Sequence, residues 1–220
     1  MTCEDFAIVC GDFGFPFLDC ECDPSFQDSP SQKIRSLRKE YFHWVKWMGE
    51  KPFSVLFVDG NHDNLPFWSM QPVEQWHGGK IHRLPGTQNV IHLMRGEVYY
   101  IDGKSIWTFG GAASHDRWLR TAGVDWWSGE VAAPEETASG LANLKRVGNK
   151  VDFIITHTPP ASLYPFCGVR MSRSDPTSSF LDSVFREVEY TGWYCGHLHM
   201  DKYLEEHRVH VLYQQYMRLI

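Results

Sequence analysis

No stretch of the 220 residues approaches the roughly 18 consecutive apolar residues that a bilayer-spanning helix needs, so a membrane partner is not expected. The opening MTCEDFAIVC also lacks the basic-then-apolar layout of a secretory signal, and the chain reads as cytoplasmic. Positive charge is not in excess: 21 Lys and Arg against 27 Asp and Glu leave a net charge of -6. That balance does not point to a nonspecific grip on nucleic acid. A phosphate ligand stays open, because bound metal ions supply positive charge locally. Cysteine is sparse and irregular: the six form no repeated spacing, and with no secretory signal they are expected to be reduced thiols. Cys20-Glu21-Cys22 is the one close pair, and with no second Cys/His pair beside it a loop with free thiols is the better reading than a zinc site. Internal repeats, low-complexity tracts and composition breaks are also missing, so residues 1–220 read as a single domain.

What the chain does contain is a series of apolar, β-branched runs that each end in a polar or glycine-rich turn. Phe6–Cys10 leads into Gly11-Asp12-Phe13-Gly14, and Ser54–Val58 leads into Asp59-Gly60-Asn61-His62-Asp63. Continuous runs of this kind are strands buried on both faces. Between them, Ser31–Gly49 places Ile34, Leu37, Tyr41, Trp44, Val45 and Met48 at helical spacing, which gives the strand, helix, strand unit of a parallel sheet. Lys80–Leu84, Val90–Met94, Glu97–Ile101 and Ser105–Phe109 are short strands of an antiparallel stretch, the last two joined by the Asp102-Gly103 turn signal. A helix over Pro134–Val147 precedes a third buried strand, Val151–Thr156, ending at His157. A helix over about Thr177–Val188 precedes a fourth, Gly192–Cys195, ending at Gly196-His197-Leu198-His199. Arg208–Tyr213 is expected to pair at a sheet edge; most tryptophans fit core or helix-face positions, and Trp126-Trp127, in a loop-like stretch, is a candidate exposed aromatic surface or partner site, the lesser of its two readings.

Four strands thus end in acid/base or metal-capable residues: Asp12; Asn61, His62 and Asp63; His157; His197 and His199. Ligands of α/β sheets sit beyond the carboxyl ends of the strands, so these groups are placed to converge on one rim. Mixed oxygen and imidazole donors suit Mn, Fe, Zn or Co better than Ca or Mg. His197 and His199, two apart in an extended segment, are expected to point to the same side.

Together these motifs resemble the calcineurin-like metallophosphoesterases, whose Gly-Asp, Gly-Asn-His-Asp/Glu, strand-end His and Gly-His-x-His motifs come in this order. The resemblance runs from about Phe6 to Asp201 and is nearest to a small bacterial and phage-encoded branch with GDFG as its Gly-Asp motif, as at Gly11–Gly14. It implies an α/β fold, a four-layer αββα sandwich with a two-metal site, and hydrolysis of phosphate mono- or diesters by metal-activated hydroxide. Carried over, Asp12 resembles the carboxylate bridging two metals. Asn61, His157 and His197 complete one shell, and His199 binds the other metal. His62 resembles the catalytic imidazole and Asp63 the carboxylate that orients it. The cofactor implied is a divalent transition metal, Mn first, with Fe, Zn, Co or Ni as alternatives. His115 and Asp116, after the Gly110-Gly111 turn, are candidate substrate contacts.

The match has one large departure. The family opens with a strand ending in Asp-x-His, and no Asp-x-His occurs in these 220 residues. The expectation is therefore a sandwich N-terminally truncated by about one strand, with one tight metal site, an incomplete second site, and self-association through the exposed strand neighbours; a genuine short form with one metal or a borrowed ligand is the other enzymatic reading. The alternative function is a catalytically impaired or noncatalytic protein that binds metal or phosphate. The acid often found three residues after the Gly-Asp aspartate is replaced here by Phe15.

Overall fold

The computed structural model describes residues 1–18, 22, 31–170 and 175–219; of the Cys20–Cys22 pair, only Cys22 lies among them. The chain runs β1 (Phe6–Val9), α1 (Gln32–Gly49), β2 (Ser54–Phe57), α2 (Leu65–Ser69), β3 (Glu74–Trp76), β4 (Gly79–Arg83), β5 (Val90–Leu93), β6 (Val98–Ile101), β7 (Lys104–Phe109), α3 (Pro134–Arg146), β8 (Lys150–Thr156), α4 (Pro176–Glu187), β9 (Glu189–Cys195), β10 (Lys202–Leu204) and β11 (Val209–Val211). Strands β1-β2-β5-β4-β3 form one sheet and β10-β11-β9-β8-β7-β6 the other.

Local chemistry sets the helix boundaries. Ser31 caps α1 by accepting a hydrogen bond from the Ile34 amide, and Asp175 caps α4 by accepting one from Thr177. Pro134 opens α3, where a missing N–H costs nothing, with Glu135 and Glu136 in its first turn and Lys145 and Arg146 in its last. Each helix then covers a sheet with its apolar stripe. Tyr41, Val45 and Met48 of α1 pack on Phe57, Trp68, Leu84 and Val90. On the far face of the other sheet, Leu144 of α3 with Leu181 and Val184 of α4 meet Trp107, Phe109, Ile154 and Trp193. Between the sheets lie Leu56, Ile91, Tyr99, Ile106, Phe153 and Ile155. The layers are therefore α, β, β, α. Phe15 stacks on Tyr41 with ring centroids 5.1 Å apart, an apolar role that accounts for the absence of an acid there.

Two expectations change, and one candidate surface falls away. Arg208–Tyr213 contains β11, which is not an edge strand: it lies between β9 and β10, and the unforeseen β10 forms the edge. The antiparallel stretch is split, since β5 belongs to the first sheet and pairs in parallel with β2, while β6 and β7 form a hairpin in the second. Arg95 and Gly96, in the crossing, carried no periodic signal. Trp127 is buried edge-on against Phe17, and Trp126 lies under the Arg117 guanidinium, so the pair is no open aromatic surface.

Among the described residues, strand β1 pairs with β2 alone, and all four of its residues stay partly exposed. A cavity of about 850 Å³ runs beside it, lined by Ile8, Ile106, Phe153, Ile155 and Leu212, and reaches Asp12 and His157.

Candidate metal centre

The residues singled out at strand ends stand on turns that follow β1 and β2 of one sheet and β8 and β9 of the other. Asp63 knots the first two turns together: its carboxylate accepts from the backbone amides of Gly60 (2.7 Å), Gly14 (2.6 Å) and Phe13 (3.1 Å). Its oxygens thus order backbone, where an orienting contact to His62 was expected. Burial pushes the Asp63 carboxyl up to about 6, with the Gly60 and Gly14 amides opposing the rise. Asp12 is placed by the neighbouring turn, because its Oδ1 accepts from the His62 amide at 3.0 Å. Two close approaches make glycine necessary. A Cβ at Gly11 would meet Nδ1 of His157 at 2.1 Å, and a Cβ at Gly60 would meet Asp12.

On this frame four donors converge. His157 Nδ1 lies 2.8 Å from the Cys10 carbonyl oxygen, which only accepts, so the neutral ring carries its proton on Nδ1 and leaves a lone pair on Nε2. That Nε2 stands 2.9 Å from Asn61 Oδ1, 3.2 Å from His197 Nδ1 and 3.5 Å from Asp12 Oδ1. His197 Nδ1 lies 3.1 Å from the same Asn61 oxygen. Burial holds His197 well below the usual imidazole range, so a second ring proton is disfavoured. Electron-rich atoms therefore gather around at most one proton, on His197.

The other predicted site residues are arranged around this group. His62 Nε2 is 3.1 Å from Asn61 Nδ2. His115 lies beside His197, ring centroids 6.1 Å apart, and Asp116 pairs with Arg120 at 2.6 Å. His199 is exposed and stacks on Tyr213 at 5.1 Å. His197 and His199 both adopt positive φ, 67° and 49°, so the segment is not extended and alternation gives no reason for them to share a side. Among the described residues, no three His, Cys, Asp or Glu side chains form a ready-made metal cluster. The convergence depends instead on the amide of Asn61. Its donor set of one carboxylate, one amide oxygen and two imidazoles nonetheless fits a divalent transition metal. The separations also suit one ion, since ligands about 2.1 Å from a common centre stand roughly 3 Å apart.

Sequence reasoning missed the groups that fix Asn61. Its Nδ2 donates to Ser114 Oγ at 3.0 Å, and Ser114 donates to Glu130 Oε2 at 2.5 Å. Glu130 is held by a buried circuit: Arg95 bonds the Gly129 and Glu130 carbonyls and also Asp59, two residues before Asn61. Ser114 is 53 residues from Asn61, and no local pattern marks it.

An αββα sandwich with a histidine, amide and carboxylate cluster where the two sheets' strand ends meet is the layout of a metal-dependent hydrolase. The calcineurin-like phosphoesterase family matches residues 3–211, and the chain belongs to that family. The family is one of metal-dependent phosphoester hydrolases. No curated protein is similar enough to count as a match.

Proposed function

We propose that the chain hydrolyses phosphate mono- or diesters, with Asp12, Asn61, His157 and His197 holding a divalent transition metal, Mn first. The observation that supports this best is the clustering of Asn61 Oδ1, His157 Nε2 and His197 Nδ1 within 2.9–3.2 Å of one another. When bound, the metal contributes Lewis acidity, which offsets phosphoryl charge and makes hydroxide available near neutral pH. His62, at the rim of the cluster, holds or delivers the proton for the leaving oxygen, a task suited to an imidazole. His115 and Asp116 flank the substrate, and Asp63 holds the backbone that carries Asp12 and His62. His199 serves a second metal position that has fewer ligands.

Exposed His199 favours a second reading, a noncatalytic metal- or phosphate-binding protein. Turnover separates the two. With Mn added, the folded chain is expected to hydrolyse 4-nitrophenyl phosphate or bis(4-nitrophenyl) phosphate. A chain that binds Mn and turns over neither ester is the noncatalytic protein.

A further inference from the structure

We infer that Ser114 and Glu130 are positioning residues that dictate which end of the Asn61 amide faces the metal; this rests on the metal site proposed above. An amide presents an oxygen or an NH₂ depending on a half-turn about one bond, and only the oxygen can ligate. The structure contains a device that settles the choice.

The device is a chain of hydrogen bonds with a fixed direction. The Ser114 hydroxyl spends its single proton on Glu130 Oε2, at 2.5 Å. What Ser114 then offers Asn61, 3.0 Å away, is a lone pair, and only Nδ2 can answer it. Oδ1 is thereby turned toward His157 and His197. His62 Nε2 lies 3.1 Å from the same Nδ2 and, in the tautomer that leaves Nε2 unprotonated, accepts its second proton. Glu130 is itself buried, so its acceptor role is backed by a desolvated carboxylate that needs the Ser114 proton.

The circuit closes on its starting point. Arg95 grips Asp59 through Nε at 3.0 Å and Nη2 at 2.6 Å, and the same Nη2 bonds the Gly129 carbonyl at 2.8 Å. One guanidinium therefore fixes the segment carrying Glu130 relative to the turn carrying Asn61. Groups that orient metal ligands are commonly worth 10–100-fold in metal affinity.

The test is Mn²⁺ titration of the full chain by calorimetry. Ser114→Ala and Glu130→Gln should each bind Mn²⁺ about 10–100-fold more weakly than the parent chain, the second because a neutral amide lets the hydroxyl reverse. Asn61→Asp provides the control: both of its side-chain ends are oxygens, so orientation no longer matters, and in that background Ser114→Ala should change Mn²⁺ affinity by less than about twofold. Parent-like affinity in Ser114→Ala and Glu130→Gln overturns the inference while leaving the metal site standing. A Ser114→Ala penalty undiminished beside Asn61→Asp also overturns it, by marking general damage. Failure of the parent chain to bind Mn²⁺ defeats the metal reading itself.

Discussion

Gly60 lies so close to Asp12 that a methyl group in its place would stand 2.1 Å from Oδ1 and 2.3 Å from the backbone nitrogen. The turns after β1 and β2 are in contact across this pair, and the Asp12 carboxylate has its position because residue 60 has no side chain. Gly60→Ala is expected to push Asp12 aside, costing about 1–3 kcal/mol of stability by overpacking and weakening Mn²⁺ binding. Thermal melts and metal titration check both; a variant that melts and binds like the parent would contradict the contact.

Asp59 is fully buried against Arg95 and His92. Burial raises its carboxyl, but the Arg95 charge and the hydrogen bonds from His92 and Arg95 outweigh burial and hold it well below the usual carboxylate range. A folded-state value below the unfolded value of about 3.9 stabilises the fold above that pH, and the contribution fades as pH falls below it. Acid unfolding should steepen below about pH 4, and Asp59→Ala should cost up to about 3–5 kcal/mol at neutral pH, because buried Arg95 would lose its closest carboxylate and keep only the more exposed Glu136. Denaturant unfolding across pH 2–7 measures both.

Ligand and proton-transfer roles separate by substitution. Asn61→Ala and His157→Ala should lower metal occupancy, whereas His62→Ala should keep its metal and lose roughly 10²–10⁴-fold in turnover. Elemental analysis beside ester hydrolysis reads the two effects. Metal loss in His62→Ala equal to that in His157→Ala would reassign His62. Purified chain should carry closer to one tight metal than two.

The edge of β1 that no described strand pairs, with the cavity of about 850 Å³ beside it, should make this chain associate or bind hydrophobic dye. Sedimentation over a range of concentrations, with dye fluorescence, tests this. A dye-silent monomer at all concentrations would mean that Leu212, Tyr213 and residues 215–219, which line the same cavity, cover the edge well enough on their own.

Most of the architecture was legible because its signals are local. Ser31, Pro134 and the Asp102-Gly103 turn mark element ends with side-chain or backbone chemistry that acts within a few residues. The strand-end order of Asp12, Asn61, His157 and His197 foretold the cluster, since strand ends in such sheets share a rim. What stayed hidden depends on distant pairing. Nothing near Val209–Val211 reveals that Lys202–Leu204 will flank it, and nothing near Ser114 or Glu130 reveals Asn61. His197 and His199 misled because alternation presumes extended backbone, and both residues are left-handed.

The cluster draws Asp12 and Asn61 from one sheet and His157 and His197 from the other, so a ligand seated there would act as a rivet between the two sheets at the rim where their strands end. Its occupancy reports on the alignment of the two sheets, and sliding one against the other would spread the four donors apart. Linkage makes the relation reciprocal: at 100 times its dissociation constant a ligand adds about 2.7 kcal/mol to stability. Chelation should therefore lower the melting temperature, with the change in protection from hydrogen exchange concentrated where β1 and β2 face β8 and β9.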